Sequence, residues 1–193
     1  MSTPHSFLVV VILLGSGTAS AQSGHIGIFD DPGGAGCAIT DVSGPLTIYH
    51  VVHVLTPAAT RARFSAPLPS CHAGTYVGDV PSFPATFGNS QTGIEILYPQ
   101  CMTGPVHLLE IWVMTAGTTP TGCTCCWATL PDPNAPSGRI EVFDCSSKVF
   151  RIDPFGAYVN PDIGCGSTPF CDCFATVPTE SSTWGRVKAL YLE

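Results

Sequence analysis

Few residues in this chain have the type and spacing that chemistry needs. His50 and His53 lie three apart inside an apolar run, residues 46–55. On a helix that spacing puts both imidazoles on one face, as a metal pair requires; on a strand it puts them on opposite faces. The run is β-branched and aromatic, so the strand geometry applies. Both histidines then read as part-buried side chains with hydrogen-bond partners. Gly88-Asn89-Ser90-Gln91-Thr92-Gly93 is one residue too long for a G-x-S-x-G nucleophile elbow and precedes a strand, not a helix, so Ser90 reads as a turn residue. Glu95, Glu110 and Glu141 could form a glycosidase carboxylate pair only by facing one cleft; their strand positions assign them to solvated faces. Asp30-Asp31-Pro32-Gly33-Gly34 and Asp132-Pro133-Asn134 offer oxygen ligands of the kind calcium takes. The second departs from the EF-hand pattern, with Pro136 at its fifth position. Met102 and Met114 invite a blue-copper reading, but no His or Met follows Cys123, so the usual late Cys-His-Met cluster is missing. H-E-x-x-H, Walker and G-x-G-x-x-G motifs do not occur. No catalytic, cofactor-binding or metal residue is assigned, and no cofactor is expected.

The ten cysteines are the strongest chemical signal: Cys37, Cys71, Cys101, Cys123, Cys125, Cys126, Cys145, Cys165, Cys171 and Cys173. Thiolate zinc sites favour C-x₂₋₄-C pairs or Cys/His mixtures, and only Cys123 to Cys126 has that spacing. The compartment decides between zinc and disulfides. Residues 7–14 are an apolar run, broken by Gly15-Ser16-Gly17-Thr18 and followed by Ala19-Ser20-Ala21, the layout of a secretory signal peptide cleaved after Ala21. Residues 1–6 lack the usual Lys or Arg. The run is too short for a membrane span of about 20 residues. Secretion favours disulfides over zinc, and all ten cysteines are disulfide candidates, with connectivity open. On a strand Cys125 and Cys126 would point to opposite faces and so bridge to different partners.

Strands must position these residues. The runs 25–29, 46–55, 60–65, 75–77, 93–98, 106–114, 139–145 and 148–152 read as extended segments separated by Gly, Pro, Asn, Asp and Ser. Residues 46–55 are apolar on both faces and read as a central strand covered on both sides. In 60–65, Ala62 and Phe64 face in while Arg61 and Arg63 face water. Ser146-Ser147 reads as a hairpin turn. Trp112 reads as core; Trp127 and Trp184 read as surface rings of the kind that stack on sugars. Helical period appears only at Trp184, Val187, Leu190 and Tyr191, after an N-cap at Ser182-Thr183. The expectation is an all-β antiparallel sandwich, or a barrel-like variant, with disulfide-pinned C-terminal loops and a short C-terminal helix. Its expected divisions are a signal peptide over 1–21, the β domain over 22–155, and a cysteine-containing loop and helix region over 156–193, packed on or trailing that domain.

Composition agrees. Charged residues make up 11 % of the 193 residues, against roughly 25 % in an average domain. The chain is too apolar for disorder. Seven Lys and Arg against a net charge of −7 exclude binding to a nucleic-acid backbone. Twenty Gly and 18 Pro exclude a helical bundle.

Ile28-Phe29-Asp30-Asp31-Pro32-Gly33-Gly34-Ala35-Gly36-Cys37, Leu46-Thr47-Ile48-Tyr49-His50-Val51-Val52-His53, Gly88-Asn89-Ser90-Gln91-Thr92-Gly93-Ile94 and the closing Thr183-Trp184-Gly185-Arg186-Val187-Lys188-Ala189-Leu190-Tyr191 resemble segments of a group of uncharacterised secreted bacterial β-rich proteins. The resemblance implies a secreted bacterial protein and lends no activity to any residue. The sequence therefore points to a secreted or periplasmic, disulfide-stabilised, non-enzymatic β-sandwich that serves as a surface, adhesion or carbohydrate- or protein-binding module. Its partner is an unknown extracellular protein or carbohydrate, with no nucleic acid and no stable membrane insertion after cleavage. A secreted hydrolase with a loop-built site, and a Cys/His metal-binding protein, are the alternatives.

Overall fold

The structure, a computed structural model, describes residues 24–162 apart from 37, 55–57 and 153, together with Cys165 and Cys173. The expected signal peptide, the terminal helix around Trp184, and Cys37 and Cys171 lie outside the described residues. Alternating and β-branched segments form eleven strands among the described residues: β1 (His25–Phe29), β2 (Gly44–Val54), β3 (Ala59–Phe64), β4 (Gly74–Pro81), β5 (Thr86–Asn89), β6 (Gly93–Met102), β7 (Pro105–Thr115), β8 (Cys126–Ala128), β9 (Ile140–Asp144), β10 (Val149–Ile152) and β11 (Gly156–Tyr158). They pair antiparallel in a four-stranded sheet of order β1-β2-β7-β4, a five-stranded sheet of order β10-β9-β3-β6-β5, and the pair β11-β8. The chain is an all-β antiparallel sandwich, and the described residues contain no helix.

The two large sheets share one core. Ile28, Tyr49, Val51, Ile111 and Val113 come from the four-stranded sheet, and Ala62, Phe64, Ile94, Ile96, Ile140 and Val142 from the five-stranded one. Each large side chain fully buried here contributes about 1.5–3 kcal/mol. Trp127 plugs one end. It is 0 % exposed, meets Tyr49 edge-on at 4.8 Å between ring centroids, and donates its indole N–H to the Ala66 carbonyl at 3.3 Å. The surface reading of Trp127 is thus corrected. The pairing of β8 with β11, and the bridges Cys71–Cys125 and Cys126–Cys173 made by the two residues just before it, hold it inside.

Two further bridges are Cys101–Cys145 and Cys123–Cys165. No cysteine among the described residues is free. Adjacent Cys125 and Cys126 do bridge to different partners, as opposite strand faces require. Cys101–Cys145 joins β6 to the end of β9 around the start of β3, where Ala59 pairs with both Met102 and Asp144.

Three strands exceed the sequence expectation. β5 contains Gly88 and Asn89, β8 is three residues long, and β11 begins on Gly156; each is too short or too interrupted to show a strand pattern of its own and forms through pairing. β6 also continues through Pro99 instead of stopping there. Its register with β3 jumps from Arg61↔Leu97 to Ala59↔Met102, so Pro99 sits in a bulge where the ladder demands no N–H. β2 is central, between β1 and β7, but is covered on both sides along only part of its length. Val52 is buried, while Leu46 and Ile48 are each 39 % exposed. Cover comes from Phe155, stacked on His25 at 3.9 Å, and from the 30–36 turn, where Gly34 packs on Val52. Neither reaches the far end of the strand. No helix among the described residues is long and apolar enough to cross a membrane.

Candidate functional site

The two outer faces of the sandwich have opposite character. On the five-stranded sheet, register aligns Phe87, Glu95, Arg63, Glu141 and Arg151 in one row across β5, β6, β3, β9 and β10. The alternating charges pair. Arg63 reaches Glu95 at 2.7 Å, Glu141 at 3.3 Å and Asp132 at 4.0 Å. Arg61 reaches the other Glu95 oxygen at 2.7 Å and lies 3.5 Å over the Phe143 ring. Burial pushes the Glu95 carboxyl upward, and the hydrogen bonds and charges of Arg63 and Arg61 outweigh it, holding the group below its ordinary 4.5. The solvated-face expectation is corrected for Glu141, which is 5 % exposed beneath Arg63.

The outer face of the four-stranded sheet is open and apolar over β2, β7 and β4. Ile48 of β2 and Gly78 of β4 flank Trp112 of β7 in register. Trp112 lies on this outer face, half-buried, and not in the core. Its ring is steadied by an indole N–H donated to Glu110 at 2.9 Å, two residues back on the same face. A Cβ added at Gly78 would meet nothing within 4 Å, so the space beside the ring is free. Leu46, Ile48, Val77, Val80 and Met114 complete the surface, with Met114 54 % exposed.

A polar line crosses the same face. His50 Nδ1 lies 3.1 Å from His107 Nε2, and His107 Nδ1 lies 2.9 Å from Ser82 Oγ. Glu110 is directly opposite His50 across the ladder. Burial, and then the neighbouring His50, push the His107 imidazole below its ordinary value. Ser82 is within proton-transfer reach of a base, but its own amide donates to the Leu108 carbonyl at 2.9 Å and is not free to stabilise an oxyanion.

His50 and His53 do point apart, as strand geometry requires. His53 faces the interior, 2.7 Å from the Tyr98 hydroxyl. Burial, and then the charge of His25, lower its pKa to about 3, so it is neutral in the fold. Ser90 is fully buried and donates its hydroxyl to Asp79 of β4 at 2.8 Å, tying the β5–β6 turn to that strand. The acidic loops spend their oxygens locally. Asp31 accepts from the amides of Gly33, Ala35 and Gly36 at 2.8, 2.9 and 2.6 Å. Asp132 accepts from Asn134 at 2.8 Å. Among the described residues no three His, Cys, Asp or Glu side chains converge as a metal site.

Sequence reasoning missed the His50–His107 pair. The two are 57 positions apart, and only the β2–β7 register, shifted by a bulge between Val51 and Val52, brings them together. No local pattern encodes that.

No known family model matches the chain, and no curated protein matches its sequence. Among solved structures, it is similar to cohesin modules. One is the cohesin module from a Clostridium perfringens family 33 glycoside hydrolase, with a TM-score of 0.43 and 6 % identity over 72 % of this chain and 97 % of that chain. A non-cellulosomal cohesin from the archaeon Archaeoglobus fulgidus gives 0.42 and 11 % over 72 % and 88 %. The seventh ScaB type I cohesin from Pseudobacteroides cellulosolvens gives 0.42 and 10 % over 76 % and 97 %. At such identities the likeness is confined to the arrangement of strands.

Proposed function

We propose that the chain is a secreted, non-enzymatic binding module that docks an extracellular protein on the outer face of β2, β7 and β4. One observation carries this: of two outer faces built from the same alternating strands, one has an ion-paired centre with Phe87 and Val149 exposed only on its edge strands, and the other exposes Leu46, Ile48 and Met114 around the half-buried Trp112. Clustered apolar surface around an aromatic ring is what the centre of a protein interface is made of. Residues 1–21 direct the chain out of the cell, and the disulfides keep the platform rigid there. Rigidity keeps low the ordering cost of binding.

The test is capture of extracellular proteins from the source culture by the immobilised secreted chain. Ile48→Lys with Met114→Lys should abolish retention of the specific partner, while Phe87→Lys with Val149→Lys, on the other sheet, should leave it intact. Equal retention by both variants refutes the assignment of the face. A signal only on a glycan array, lost with Trp112→Ala, would replace the protein partner by a carbohydrate.

A further inference from the structure

We propose that His50 and His107 form a two-imidazole site for a divalent first-row transition-metal ion, of which Zn²⁺ is the probe. The inference goes beyond the docking reading and does not depend on it. The facing nitrogens, His50 Nδ1 and His107 Nε2, are 3.1 Å apart. An ion bonded to both at the usual distance of about 2.05 Å would subtend about 100°, between the square and tetrahedral angles. The strands already supply the bite, because β2 and β7 hold the two side chains in adjacent positions on one face.

The remaining ring nitrogen of His107 supports the same reading. In the unloaded pair a proton is shared between the facing nitrogens, and a metal needs both lone pairs. Ser82 Oγ, 2.9 Å from His107 Nδ1, accepts the proton in the His107 tautomer that frees Nε2, so loading needs a tautomer shift only in whichever ring carries the proton between the pair. Metal-bound histidines characteristically make this outer hydrogen bond. Both rings are half-buried and reachable from solvent. Glu110, opposite His50, places a carboxylate beside the site, its Oε2 already accepting from Trp112. With no third protein ligand converging among the described residues, the remaining positions fall to water or to a donor from another molecule. The site is therefore exchangeable, unlike a closed structural zinc site. Imidazole ligands also rank Cu²⁺ and Ni²⁺ as competitors.

The experiment is Zn²⁺ titration of the chain as secreted, without an affinity tag, by calorimetry and by NMR of the histidine ring signals. One ion per chain is expected, with the His50 and His107 signals moving together. His50→Gln and His107→Gln should each weaken binding at least tenfold, and Ser82→Ala several-fold. His25→Gln, a control ring stacked on Phe155, should bind within twofold of the parent. Circular dichroism spectra establish that each variant is folded, and ring-signal mapping on the parent chain decides the outcome if one is not. The proposal is overturned if the parent shows no binding at millimolar Zn²⁺, if either Gln variant binds as the parent does, or if other ring signals move instead.

Discussion

Replacing Arg63 by Met tests whether the five-stranded face is held by its charge ladder. Arg63 lies between Glu95 at 2.7 Å, Glu141 at 3.3 Å and Asp132 at 4.0 Å. Glu95 would keep Arg61, also at 2.7 Å, so its loss is small. The cost falls on Glu141, whose side chain is 6 % exposed and which would lose this ion-pair partner. Removing one member of a buried pair costs about 3–5 kcal/mol. Arg63 itself is partly solvated, at 23 %, which sets the expectation at the low end, about 3 kcal/mol at pH 7. The assay is urea unfolding with the disulfides intact, since guanidinium would screen the charges. The Glu95 carboxyl is depressed in the fold, so its contribution is present above the unfolded value of 4.5 and is lost as pH falls through the lower folded value. That acid loss belongs to a carboxyl that keeps Arg61 in the variant, so it is expected in Arg63→Met and in the parent alike. Adding Glu141→Leu should recover most of the loss at pH 7, because a packed apolar residue can replace a buried ion pair. A gap below about 1 kcal/mol at pH 7 refutes the reasoning.

Two further outcomes are expected. His53 has its pKa lowered to about 3 in the fold, so below 6.5 the unfolded chain takes up a proton that the folded one does not, and stability falls as pH drops. Linkage makes the loss about 2.5 kcal/mol by pH 4.5; His53→Gln, which can keep a bond to the Tyr98 hydroxyl, should remove that part of the slope in pH-dependent urea titrations, and an unchanged slope would count against a neutral buried imidazole. Cys101→Ala with Cys145→Ala opens a loop of 44 residues and should cost about 4 kcal/mol by loop-closure entropy, read as a lower urea midpoint; a loss under about 1 kcal/mol would mean that the β6-β3-β9 ladder alone sets that geometry.

The strands legible in the sequence are those whose own pattern closes the question. Thr60-Arg61-Ala62-Arg63-Phe64 alternates cleanly, and the structure buries Ala62 and Phe64 and turns both arginines outward. What the sequence could not supply was where those arginines end. Glu95 and Glu141 are 32 and 78 positions away, and register alone aligns them. The two tryptophans exchange their expected places for a related reason. Trp112 sits in an apolar run that reads as core, yet alternation places it opposite Ile111 and Val113, which take the interior. Trp127 sits among cysteines and short turns that read as surface, yet tertiary pairing and two disulfides carry it inward.

The candidate site is hidden by the same ambiguity. A strand apolar on both faces fits two different structures: one with a second layer on its outer side, and one that shows a hydrophobic platform to solvent. Composition cannot separate them, because both need the same residues. The separation comes from what the rest of the chain covers. Here Phe155 and the 30–36 turn lie over the β1 side, which buries Phe29 and Val52 and leaves Ile48 and Met114 bare. Gly78 then matters as an omission of side chain: a larger residue opposite Trp112 would fill the space beside the ring. An apolar strand face kept uncovered, beside a bare glycine and two paired histidines, is costly as surface, and the docking proposed above is one arrangement that would recover that cost.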